Sequence, residues 1–228
     1  MSTGSEGLLL VDKPAGITSH DVVQVVRRVY GERSIGHLGT LDPFATGLLV
    51  LLVGRVTRLA TFIETEPKVY DATIRFGAET DTDDCTGTVT REAALPSPGS
   101  VRDALPLFTG EIEQIPPAFS AKSVNGARAY DAARRGEPLL LSPAGVTVHE
   151  WIMRDERPDE IDVTIACGKG TYVRALARDL GRSTGSAAHL VSLRRSRSGP
   201  FDVSDAATLE QLQTSAPRLR TLRIVADD

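Results

Sequence analysis

One Asp-Pro, Asp42-Pro43, lies in the string Gly36-His37-Leu38-Gly39-Thr40-Leu41-Asp42-Pro43-Phe44-Ala45-Thr46-Gly47, directly before the apolar run Leu48-Leu49-Val50-Leu51-Leu52-Val53. Turn-forming residues at this density, beside a run suited to a buried strand, hold a loop at the edge of a rigid element and can present one carboxylate there. The chemistry open to that carboxylate is nucleophilic attack or proton abstraction. Asp-Pro also suits a helix start, with Asp as N-cap and Pro at the first helical position. Gly47 and the apolar run argue instead for a strand after the loop. Gly36 and Gly39 permit backbone angles and close approach that side chains forbid, while His37, Thr40 and Thr46 add an imidazole and two hydroxyls nearby.

The elements that must position this loop are mixed. Leu8–Val11 reads as a strand, and Thr18 or Ser19 can cap a helix whose Val22, Val26 and Val29 recur at helical spacing until Gly31. Val69 to Phe76 alternates as a strand. A loop at residues 96–100 precedes a helix to Phe108, and Gly126 to Arg135 reads as a helix stopped by Gly136. Val163, Ile165 and Cys167 alternate as a strand, and Val173, Leu176, Ala177 and Leu180 line one helix face before Gly181. Thr208 to Leu212 reads as a short helix. Arg174, Arg178 and Arg182 fall four apart, a stripe away from that apolar face. Such a row is solvated, or, at Arg174, supplies a guanidinium that keeps a carboxylate ionised.

With 228 residues, 25% charged and 41% hydrophobic, the chain can bury one substantial core. Its apolar stretches are too short to span a bilayer, and Met1 to Glu6 lack the basic start of a signal peptide. Cys85 and Cys167 offer neither a disulfide framework nor zinc spacing, so reduced thiols in a cytoplasmic protein are expected. The net charge of −4 argues mildly against a polyanionic partner. Distribution argues the other way. Lys169, Arg174, Arg178, Arg182, Arg194, Arg195 and Arg197 crowd one stretch, while acids gather at residues 79–84 and 155–160, so a basic surface able to hold phosphates is expected.

The Asp42 string resembles the catalytic motif of the TruB family of tRNA pseudouridine-55 synthases. Four further segments are similar to that family in the same order: Leu10 to Gly16, Lys68-Val69-Tyr70 ahead of Gly77, Ile115-Pro116-Pro117 through Tyr130, and Lys169-Gly170-Thr171-Tyr172-Val173-Arg174 leading to Leu193-Arg194-Arg195. The resemblance implies an α+β fold, a mixed and largely antiparallel sheet flanked by helices. It also implies isomerisation of a uridine in the tRNA T-loop: the base is flipped out, the N1 glycosidic bond breaks, the uracil turns, and C5 joins the ribose. No group or electron leaves, so no cofactor and no metal is expected.

The same resemblance makes Asp42 the catalytic carboxylate, with Arg174 against it and Tyr70 against the flipped base. His37 supports the space the uridine vacates, an inserted ring offsetting part of the few kcal/mol that flipping costs. Lys13 takes a structural role near the loop or contacts phosphate. Tyr172 and Leu193 are pocket walls or plain core, and Lys169 and Arg194 belong to the RNA-binding set. Two departures stand out: Ser120-Ala121-Lys122-Ser123 displaces a lysine by one position, and Phe119 replaces a frequent tyrosine. About thirty residues follow Gly199, so a single catalytic domain over 1–228 is expected, its last part from about 200 a short extension and no PUA domain appended. The expected partner is the T-arm of tRNA, met by a monomer. The rival reading is an RNA-binding chaperone of tRNA folding in which chemistry is secondary.

Overall fold

The computed structural model of the chain describes residues 6–124 and 126–221. The N-terminal reading on Met1 to Ser5 and the end of the C-terminal extension lie outside the described residues. The chain divides into two compact units, residues 1–68 with 194–228, and residues 69–193.

The first unit begins with β1 (Gly7–Lys13), α1 (Ser19–Tyr30), β2 (Ile35–His37), β3 (Thr46–Val53) and a 3-10 helix, Gly54–Phe62. The chain crosses to the second unit within β4 (Lys68–Phe76), which is followed by β5 (Ala78–Thr80), β6 (Val89–Glu92), α2 (Ser100–Ala104) and β7 (Gly110–Gln114). There follow β8 (Ser123–Val124), β9 (Ala127–Arg128), α3 (Ala129–Arg134), β10 (Ala144–Glu156), β11 (Glu160–Cys167) and α4 (Val173–Ser183). The return is within β12 (Ala188–Ser198), and the first unit ends with β13 (Phe201–Asp202), β14 (Ala207–Thr208) and α5 (Leu209–Thr214).

In the first unit β3 is central. One edge pairs antiparallel with all of β1, from Gly7 opposite Val53 to Lys13 opposite Gly47. Its other edge is shared between β2, antiparallel at Leu51 to Val53, and β12, parallel at Thr46 and Gly47. Both faces of β1 and β3 are covered. Leu9, Val11, Leu49, Leu51 and Val53 pack with Val22, Val23 and Val26 of α1 and Leu212 of α5, while Leu8, Leu10, Leu48, Val50 and Leu52 form a second cluster backed by Val56, Ala60 and Phe201. Two-sided burial is why this strand reads as an unbroken apolar run rather than an alternating one. Thr18 and Asp21 close a capping box at the start of α1, and Gly31 ends it in the left-handed region at φ 62°.

In the second unit β4, β11, β10 and β7 are neighbours in that order, and β10 pairs antiparallel with both β11 and β7. The α+β class and the mixed, largely antiparallel sheet agree with expectation. Two boundaries differ. α4 runs through Gly181 to Ser183, because a side chain at 181 would meet the backbone nitrogen of Ala188 at 2.6 Å; the glycine serves close packing and is no stop signal. Residues 127–128 pair as a strand with 123–124, so α3 begins only at Ala129.

Candidate active site

Asp42 sits half-buried in the loop between β2 and β3, next to an exposed Pro43. It caps no helix. Its carbonyl accepts from the Ala45 amide at 3.1 Å, closing a tight turn, and β3 starts at Thr46. Ahead of the turn, Leu38 donates its amide to Val50 O at 2.9 Å. The Arg195 guanidinium donates to Gly39 O at 3.0 Å, to Thr40 O at 3.4 Å and, across the loop, to Leu48 O at 2.8 Å. The Ser19 hydroxyl donates to Leu41 O at 3.1 Å and accepts from Leu41 N at 2.9 Å. Pro43 O takes the Gly16 amide at 2.8 Å and Lys13 Nζ at 3.4 Å.

Every carbonyl from residue 39 to residue 43 therefore has a donor. A loop satisfied in this way has few alternative conformations of equal energy, and its one carboxylate is held in place before anything binds. The glycines are required by geometry. Gly39 has φ 100° and Gly47 φ 99°, and a side-chain carbon at Gly47 would lie 2.3 Å from Arg195 O.

Lys13 is fully buried and also donates to Pro14 O at 2.9 Å and Ile17 O at 2.8 Å. Of the two roles implied for it, this geometry supports the structural one. Burial pulls its pKa down to about 8; the Asp42 charge opposes that shift and the Arg195 charge adds to it. His37, at the end of β2, is held below the usual histidine range by burial, then by Arg195 and His20, so its imidazole is neutral near pH 7. Its Nδ1 is buried with no hydrogen-bond partner among the described residues. Arg194 makes a two-point pair with Asp12, at 3.0 and 2.7 Å.

The second unit carries the other candidates. Tyr70 is buried in β4, and Leu193 is buried near the end of that unit's part of β12. Tyr172 precedes α4 and is clamped by Gln114, whose side-chain oxygen accepts from Tyr172 N at 2.8 Å and whose amide donates to Tyr172 O at 3.1 Å. Lys169 is exposed in the turn after β11. Arg174 is buried; its guanidinium donates to Thr82 O at 2.8 Å and Phe119 O at 2.9 Å and lies 3.8 Å from the Asp84 carboxylate.

The arginine stripe on α4 is ion-paired, and of its three members only Arg182 is exposed. Arg178 is buried and pairs with Asp83 at 2.8 Å, with Asp179 at 2.8 Å and with Ile115 O at 2.8 Å. Arg182 forks onto Glu79 at 2.9 and 2.6 Å. Glu79, Asp83 and Asp84, read from sequence as lying elsewhere, are the partners of this stripe, and two of its cations, Arg174 and Arg178, are buried. Two residues that fix the Asp42 loop, Ser19 and Arg195, were given other parts by the sequence: Ser19 as a possible helix cap, and Arg195 as one of the basic stretch and of the last matching segment.

An aspartate on a pre-set loop within an α+β fold fits a pseudouridylate synthase. Residues 27–173 match the model of the TruB family pseudouridylate synthase N-terminal domain, and residues 174–222 that of the tRNA pseudouridylate synthase B C-terminal domain. The chain belongs to the TruB family. It is 49% identical over 214 residues to tRNA pseudouridine synthase B of Arthrobacter sp. (strain FB24), covering 90% of this chain and 70% of that one. It is 48% identical to the protein of that name from Thermobifida fusca (strain YX), covering 91% and 74%. Among solved structures, a chain of a Cbf5-Nop10-Gar1 complex superposes with TM-score 0.70 at 26% identity, covering 90% of this chain and 53% of that one. The present chain thus spans about half the length of that solved chain.

Proposed function

We propose that this chain isomerises uridine to pseudouridine at position 55 in the T-loop of tRNA, with Asp42 as the catalytic carboxylate. The observation that carries the reading is the run of five satisfied carbonyls, 39 to 43, which fixes one carboxylate in a chain of this family. A carboxylate already in position loses little freedom when it meets the ribose and base, so binding energy goes to the reacting geometry. On this reading Tyr70 and Arg174 of the second unit serve the same uridine, Tyr70 against the flipped base and Arg174 as the guanidinium that keeps Asp42 ionised. Neutral His37 supports the space vacated by the uridine, stacking without the desolvation cost of a buried charge. Tyr172 and Leu193 serve as walls for the base, and Lys169 and Arg194 as RNA contacts at the rim. The enzyme acts as a monomer on the T-arm, in the cytoplasm where tRNA is found.

The test is release of tritium to water from a tRNA transcript labelled at uracil C5, for the wild type and Asp42→Asn. The reading expects release by the wild type alone, mapped to the T-loop uridine. Release by both proteins removes Asp42 from the mechanism. Tight tRNA binding without release by the wild type overturns the reading altogether.

A further inference from the structure

Arg195 is 1% exposed, the most buried arginine among the described residues, and it donates to three main-chain carbonyls. Those carbonyls lie on both sides of the carboxylate: Gly39 and Thr40 precede Asp42, and Leu48 follows it. β12 delivers the arginine by pairing in parallel with β3, which sets Arg195 opposite Gly47, and the missing side chain at Gly47 permits that approach. At Gly39 a side-chain carbon would stand in ordinary contact with Arg195 Nη1, at 3.6 Å, so there the glycine answers the backbone φ of 100° and not the arginine. Burying a cation is costly unless all its hydrogen bonds are made, so an apolar residue would fill this space at lower cost if filling were the purpose. What an apolar residue cannot do is join both arms of a loop through one planar fork.

We infer that Arg195 is a positioning residue for Asp42, a clamp that joins the two arms of the loop and so sets the carboxylate's place before substrate arrives. The inference rests on the proposed reaction for its catalytic consequence and on the loop geometry alone for its structural one. Arg195 touches no substrate on this account. Its loss therefore lowers kcat and leaves tRNA affinity intact, unlike the loss of an RNA contact. Lysine keeps the charge and loses the fork. A misplacement of about 1 Å is enough to cost on the order of 100-fold in rate.

The experiment compares wild type, Arg195→Lys and Arg195→Met by thermal melting, by tRNA filter binding, by single-turnover tritium release at saturating enzyme and by hydrogen exchange at the amides of Leu38, Leu41 and Ala45. For Arg195→Lys the expected result is a folded protein, unchanged tRNA affinity, release slowed about 10- to 100-fold and faster exchange at those amides. In Arg195→Met the pKa of His37, followed by its imidazole NMR signals, rises toward the ordinary value because the nearby cation is gone. Wild-type release rate in Arg195→Lys, a loss confined to tRNA affinity, or failure of both variants to fold overturns the inference. If the wild type releases no tritium, the reaction is wrong, while the exchange rates still decide whether Arg195 clamps the loop; unchanged exchange overturns it.

Discussion

Arg178 and Arg182 of the second unit and Lys13 and Arg195 of the first are held in opposite ways. In the second, buried Arg178 and the more exposed Arg182 of α4 end on the carboxylates of Asp83, Asp179 and Glu79, so each charge is met by an opposite one. In the first, Lys13 and Arg195 end on main-chain carbonyls around Asp42, which satisfy the donors but leave the net charge standing. That difference is felt by neighbouring groups: Arg195 lowers the pKa of both Lys13 and His37, and Asp42 partly restores that of Lys13. Paired charges hold α4 to the acidic segment. Unpaired ones fix a loop and maintain a positive field around its single carboxylate.

The sharpest way to break this contrast is Asp42→Asn, which keeps the loop's shape and removes its negative charge. Tritium release is expected to fall by about 10⁴-fold or more, on the scale seen when one member of a catalytic unit is removed. The carbonyls of the loop are held by donors from Arg195, Ser19, Ala45, Gly16 and Lys13, so the variant should still fold with the loop closed, which its melting curve checks. The counterpart in the second unit is Arg178→Met, whose effect should be on stability. It leaves Asp83 and Asp179 without their guanidinium, and removing one partner of a buried pair costs about 3–5 kcal/mol. Urea unfolding checks this; a loss under 1 kcal/mol would show that the pair contributes little to holding the unit together.

Sequence disclosed the loop and the strands better than it disclosed the charges. Gly39, Gly47 and the unbroken apolar run were readable because each reflects a local requirement, a positive φ or two-sided burial, whereas Gly36 lies in β2 with open space around it and no positive φ. The helical spacing of Val22 and Val26 was readable for the same reason. The fate of Arg178 was not, because its partner Asp83 lies 95 residues away and nothing local marks the pairing. Arg195 and Arg194 make the point most plainly. They are adjacent and chemically identical, and alternation along β12 buries one under the loop and leaves the other half-exposed on Asp12.

Lys13 gives the contrast a pH signature. Its pKa is about 8 in the folded protein against an ordinary 10.5, so between those values the unfolded chain holds a proton that the folded chain has released. Stability attributable to this group therefore rises with pH across that window, and below about pH 8 the folded protein bears the full cost of a buried ammonium. Urea unfolding at pH 7.5, 8.5 and 9.5 should show wild type gaining on Lys13→Met as pH rises. A parallel pair of curves would mean that Lys13 remains charged and well solvated by its carbonyls.

The smallest effect is expected at Arg194, and it tests whether position in β12 or residue type decides the outcome. Its pair with Asp12 has good two-point geometry, yet the Arg194 side chain is 42% exposed and that of Asp12 26%. Solvent screening and the entropy of holding a long side chain limit such pairs to about 0–1 kcal/mol. Arg194→Ala should therefore unfold within about 1 kcal/mol of wild type, where Arg195→Met loses three buried hydrogen bonds to carbonyls. The proposed RNA role gives Arg194 a separate readout. If it contacts phosphate at the rim, Arg194→Ala weakens tRNA binding and lowers the salt dependence of that binding by about one charge, with little change in single-turnover rate at saturation. A slower rate at unchanged affinity would instead place Arg194 with its neighbour in the loop's support.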